Sequence, residues 1–169
     1  MIVKMNRYWI LMSVLIIGCC TGCLSQEASE APTGDIVLTV TGAITQFTSG
    51  DSYQFDMETF SSLPYSTITT PDPHMDATIE YGGVLLSDVL EKVGAESSAT
   101  TITIVATDGY TAVVNISDLH LGILLAYTAD GQNLTEKEGG PIKVIFSEEA
   151  QKLYGPEAWA WWVTTVEIS

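Results

Sequence analysis

Beyond residue 23 this chain has no cysteine, and beyond residue 7 it has no arginine. The first absence removes thiolate metal ligands, thiol nucleophiles and disulfides from everything downstream. The second leaves Lys92, Lys137, Lys143 and Lys152 as the only cations after the N-terminal segment. Nucleic acid is thereby excluded as a partner, because phosphates are neutralised by clustered Lys and Arg. Binding to anionic lipid head groups is disfavoured on the same ground. The formal net charge of the 169-residue chain is −15, which favours solubility, including in salty surroundings. No apolar run reaches the roughly 20 residues that a membrane-crossing helix needs. A serine nucleophile elbow, a P-loop, a dinucleotide fingerprint and a zinc helix motif are all missing. Glu148 and Glu149 are adjacent and point apart on a helix, so they make no acid–base pair. Catalytic residues stay unassigned.

What is present begins with an address. Lys4 and Arg7 precede the apolar run Tyr8–Ile17, and Cys19, Cys20 and Cys23 follow it. A basic start and an apolar run of about ten residues fit an export signal. Ile16-Ile-Gly-Cys19 and Cys20-Thr-Gly-Cys23 both resemble the lipobox of exported lipoproteins, in which the cysteine is lipidated. Cys19 has the better aliphatic residue three positions earlier. Cys23 discards the other two thiols with the leader, and the balance falls to it. An uncleaved signal anchor is the alternative. Residues 1–22 then form a signal peptide, 23–34 a polar tether and 35–169 one domain, held at the outer face of the cell membrane. Asn115-Ile-Ser117 and Asn133-Leu-Thr135 are glycosylation sequons that such a location permits.

Along the domain, Ile36–Thr41 reads as a strand and Tyr53–Phe55 as another. Asp56 caps a short helix through Leu63, which Pro64 stops. Tyr65–Thr70 is extended, Pro71–Asp76 a loop, Ala77–Tyr81 extended, and Gly82-Gly83 a turn. Leu86, Val89, Leu90 and Val93 make one helix face that Gly94 ends. Thr101–Thr107 and Tyr110–Ile116 form a hairpin about Asp108-Gly109. Further strands lie at Ile123–Thr128 and Ile142–Phe146. Ser147 caps a helix to Leu153, and Trp159–Ile168 is a closing strand. Many strands with a few helices, not in strict alternation, predict an α+β domain.

From Tyr81 onward the order of signals resembles the oxidoreductase molybdopterin-binding domain of sulfite oxidase-like enzymes. The matching pieces are Gly83–Gly94, Thr107-Asp-Gly-Tyr110, Leu124-Leu-Ala-Tyr127, Asp130–Leu134, Gly140–Ile145 and Trp162–Ile168. The resemblance implies mixed β-sheets with a few short helices. It also implies a molybdopterin whose metal is ligated by a loop cysteine and whose phosphate is held by basic residues near the last strand. The stretch matching the cysteine loop, Ile68–His74, contains threonines and no cysteine. The lysine position near the end is Trp161. The leader lacks the paired arginines with which exported members carry a preloaded cofactor. These departures predict the fold without its usual cofactor.

Tyr110 falls where the family places a tyrosine beside the metal. The plainer reading, which is preferred, makes it a packed strand residue after a turn. Asp72, His74 and Asp76 alternate and would share one face of an extended segment, as a divalent-cation site requires; a solvated loop is the plainer reading. Trp159 and Trp161 share one strand face with Trp162 opposite, suited either to core filling or to stacking a flat ligand or partner. The ligand-binding candidates are therefore Thr70, His74, Asp108, Tyr110, Trp159 and Trp161. They would surround a concavity between the Thr69–Asp76 loop and the tryptophan strand. The expected function is a membrane-anchored lipoprotein that holds an unidentified small molecule or protein partner. A genuine molybdopterin oxidoreductase or redox accessory subunit is one alternative, and a structural surface lipoprotein is the other.

Overall fold

The computed structural model describes residues 31–169; the export signal, both lipobox cysteines and most of the tether lie outside the described residues. The described elements run β1 (Ile36–Gly42), β2 (Tyr53–Asp56), α1 (Met57–Ser61), β3 (Tyr65–Asp72), β4 (Ala77–Leu85), α2 (Leu86–Val93), β5 (Thr101–Ala106), β6 (Thr111–Asn115), β7 (Ile123–Ala129), β8 (Gln132–Asn133), β9 (Lys143–Phe146) and β10 (Val163–Ile168). Short 3-10 turns connect several of them. This is the α+β architecture expected from the sequence. Among the described residues no helix is long and apolar enough to cross a membrane.

Two five-stranded sheets form. The first has the order β2-β1-β10-β5-β6. Its chain-terminal strand β10 slots between β1, to which it runs parallel, and β5, to which it runs antiparallel. Leu38 and Val40 of β1, Ile102 and Ile104 of β5, and Val166 and Ile168 of β10 alternate inward, as a sheet with one covered face demands. The second sheet has the order β3-β4-β7-β8, with β9 paired to the first half of β7. Here Ile123–Ala126 and Lys143–Phe146 are buried without alternation, so both faces are covered. The sheet curls until β3 meets β9, where the Thr70 hydroxyl donates to the Phe146 carbonyl at 3.1 Å. Helix α2 closes one side with Leu86, Val89, Leu90 and Val93, all buried. Each such side chain stabilises the fold by about 1.5–3 kcal/mol. Gly94 ends it at φ 63°, the left-handed conformation that glycine adopts without a steric cost.

Four local expectations are corrected. Gly82-Gly83 is no turn, because β4 runs straight through it. A Cβ at Gly83 would strike the Leu125 carbonyl of β7, and one at Gly82 the Tyr65 hydroxyl, so glycine permits close strand approach. Pro71 lies within β3, opposite Thr78; β3 is a sheet edge, where the missing N–H costs no ladder bond. Ser147 does accept the Ala150 N–H at 3.1 Å, but in place of a helix to Leu153 the chain makes only the 3-10 turn Ala150–Lys152. The final strand begins at Val163 and not at Trp159, because Trp162 takes a left-handed φ of 54° that no strand accommodates.

Candidate functional site

The broken strand start creates a site. Trp159–Trp162 is an irregular segment between the 3-10 turn Pro156–Ala158 and β10. It meets the loop after β3, the β5–β6 turn and the 3-10 turn Pro156–Ala158 around a cavity of about 310 Å³. His74, Asp108, Tyr110, Trp159 and Trp161, five of the six residues expected to bind ligand, line it together with Pro156, Glu157 and Trp162. The aromatic rings form an edge-to-face lattice. His74 stands at 86° to Trp161 with centroids 5.9 Å apart, and Trp161 at 73° to Trp162 with centroids 5.8 Å apart.

Backbone carbonyls engage the polar ends of three of these rings. His74 Nε2 lies 3.0 Å from the Pro156 carbonyl. The Tyr110 hydroxyl donates to the Glu157 carbonyl of the same turn. Trp162 Nε1 donates to the Glu136 carbonyl at 2.7 Å. Trp159 Nε1 is buried and has no acceptor among the described residues. Asp108 Oδ1 accepts the Tyr110 N–H at 2.9 Å and sets the turn that presents Tyr110. Tyr110 is half-exposed and precedes β6, so it is not the packed strand residue that the plainer sequence reading made it.

Beneath the tryptophans lies a charge that the sequence reading did not single out. Lys143, in the otherwise apolar β9, is fully buried. Its ammonium donates to Asp72 Oδ2 at 2.6 Å and to the Tyr81 hydroxyl at 3.3 Å, and it sits 4.5 Å from the Trp161 ring centroid. Tyr81 donates to the same Asp72 oxygen at 2.5 Å. Asp72 Oδ1 accepts the backbone N–H groups of His74 at 2.7 Å and Met75 at 3.1 Å. One carboxylate thus fixes the buried ammonium, a phenol and the loop that carries His74. Burial works against the charge on Asp72, but the bonds from Lys143, Tyr81 and the His74 N–H outweigh it and hold the carboxyl below its ordinary range. Burial and the Asp72 charge push the Tyr81 phenol up. A lone lysine in an apolar strand was the available signal, since a buried ammonium needs a partner.

Two expectations do not survive this geometry. Asp72, His74 and Asp76 make no cation site. Asp72 turns inward to Lys143, the chain turns at 73–76 rather than staying extended, and no metal-holding cluster of His, Cys, Asp or Glu occurs among the described residues. Thr70 lies outside the cavity, fully buried, donating to Phe146 and accepting from Gln151 Nε2 at 2.7 Å.

A wider groove of about 700 Å³ adjoins the cavity and shares Asp108 and Trp162 with it. Thr107, Leu134, Glu136, Gly140 and Pro141 complete its walls. Lys143 and Lys152 form the ion pairs of the described residues, with Asp72 and Glu149, so neither Asp108, Glu136 nor Glu157 has a paired cation there.

Residues 45–169 match the model of the family described as oxidoreductase molybdopterin binding domain. Among solved structures, the sulfane dehydrogenase SoxCD from Paracoccus pantotrophus is similar, with a TM-score of 0.62 and 17% identity over 78% of this chain and 37% of that one. At that identity the likeness shows a common fold. The chain spans little more than a third of the dehydrogenase. No curated protein matches it.

Proposed function

The chain belongs to the oxidoreductase molybdopterin-binding domain family, and from that membership we propose that it is a cofactor-free ligand-binding module, tethered by lipid at the outer face of the cell membrane. The observation that carries the reading is the chemistry of the site. A metal–pterin group asks for a thiolate and for cations around its phosphate. The described residues include no cysteine. The one lysine against the tryptophans is bound to Asp72, and the adjoining groove carries Asp108 and Glu136. The residues present do not fit the group. They suit a small, largely apolar guest, since the cavity is at the small end of the roughly 300–1,000 Å³ typical of ligand pockets and is walled by rings. The anchor reading rests on Cys23 or Cys19 behind the apolar run.

The chain has four tryptophans, and three of them line the cavity, so indole N–H resonances report the site directly. The isotope-labelled chain is titrated with the dialysable small-molecule fraction of its native host. Shifts centred on the indoles of Trp159, Trp161 and Trp162 support the reading. Shifts elsewhere, or none, contradict it. Incorporation of an alkyne-tagged fatty acid that Cys23→Ser abolishes, or Cys19→Ser in its place, supports the anchor; labelling of neither cysteine removes it.

A further inference from the structure

We infer that the guest of the tryptophan-lined cavity is a small organic cation, an alkylammonium or quaternary ammonium compound; this rests on the ligand-binding reading above. Aromatic rings and negative charge line the cavity together. Tyr110, Trp161 and Trp162 line it, and ring faces attract a cation through their quadrupole. The hydroxyl of Tyr110, Nε2 of His74 and Nε1 of Trp162 are engaged by backbone carbonyls, so at these three residues a guest meets ring carbon; Trp159 Nε1 is the buried indole donor left without an acceptor among the described residues. Asp108 and Glu157 stand at the same cavity, both exposed and neither in an ion pair among the described residues. An anionic guest would meet these two carboxylates with no free ammonium in the lining, because Lys143 is buried against Asp72. Lys143 also shows that these rings accept such a group. Its ammonium already lies 4.5 Å from the Trp161 centroid and 5.6 Å from that of Trp159. The net charge of −15 concentrates cations at the surface and speeds their encounter. The adjoining groove, with Leu134, Pro141 and the carboxylate of Glu136, leaves room for an alkyl body behind the charged head.

The test compares choline with its uncharged isostere 3,3-dimethyl-1-butanol on the full chain in detergent, read by tryptophan emission at constant ionic strength. The expected result is saturable binding of choline that is at least about tenfold tighter than that of the alcohol, the difference a desolvated cation–π contact supplies. Asp108→Asn keeps an acceptor for the Tyr110 N–H and removes only the charge; with Glu157→Gln it should weaken choline several-fold and leave the alcohol unchanged. Equal binding of choline and alcohol overturns the cation inference and leaves the ligand-site reading standing. A response to choline that sodium chloride reproduces is screening, and also overturns it. Failure of choline, of the alcohol and of the host's small-molecule fraction to move any indole signal overturns both.

Discussion

Replacing Lys143 by methionine tests the buried charge cluster that underlies the site. Methionine fills most of the lysine volume in β9, so the change removes the ammonium and little packing. Asp72 would keep the Tyr81 hydroxyl at 2.5 Å and the two backbone N–H groups, but would lose the ammonium at 2.6 Å. It would become a buried carboxylate with no counter-charge. Breaking a fully buried pair from one side costs about 3–5 kcal/mol. A domain of this size has a total stability of only about 5–15 kcal/mol. Urea unfolding followed by tryptophan emission should therefore show a midpoint far below that of the parent, at an unchanged slope. The sign of the acid dependence is set by Asp72. Its carboxyl is held below the ordinary 3.8 in the folded protein, so the pair's contribution is present above about pH 4 and is lost as pH falls below it. In Lys143→Met the carboxyl rises, and acid destabilisation moves to higher pH with it. Adding Asp72→Asn to Lys143→Met should recover part of the loss, because the stranded charge is gone. A single variant within about 1 kcal/mol of the parent, or single losses that simply add in the pair, would refute the coupling.

Other consequences are more local. Gly83→Ala drives a methyl into the Leu125 carbonyl across a central strand pair and should sharply reduce the folded fraction, whereas Gly131→Ala, open to space at φ 75°, should cost only about 1 kcal/mol in thermal unfolding. Tyr110→Phe frees the Glu157 carbonyl and should raise hydrogen exchange in the Pro156–Ala158 turn with a stability loss of about 0.5–1.5 kcal/mol; unchanged exchange would mean that the phenol does not clamp the turn. Asp56→Ala removes the acceptor of the Thr59, Thr33 and Gly34 N–H groups and should unprotect the start of α1 and residues 33–34 together.

Much of this architecture is legible in the residues. The spacing of Leu86, Val89, Leu90 and Val93 against Gly94 gives α2 to the residue, and Asp108-Gly109 marks the hairpin. Asp56 is the cap that its position announces. What sequence cannot display is an element's neighbours. Gly82-Gly83 signals a turn locally and becomes a close strand crossing only beside β7. Pro71 is tolerated because β3 is an edge, which topology decides. Five ligand candidates meet because Trp162 breaks the strand and lets Trp159–Trp162 reach three other segments. The inward turn of Asp72 is invisible locally because its partner lies 71 residues away, in a strand where Lys143 reads as an exception to an apolar run.

The central claim is that this fold works without the group after which its family is described. The direct measurement is molybdenum and tungsten content, with pterin fluorescence after acid release, on the full chain purified from its native host. The account predicts metal and pterin far below one equivalent per chain. A stoichiometric metal with a matching pterin would contradict it.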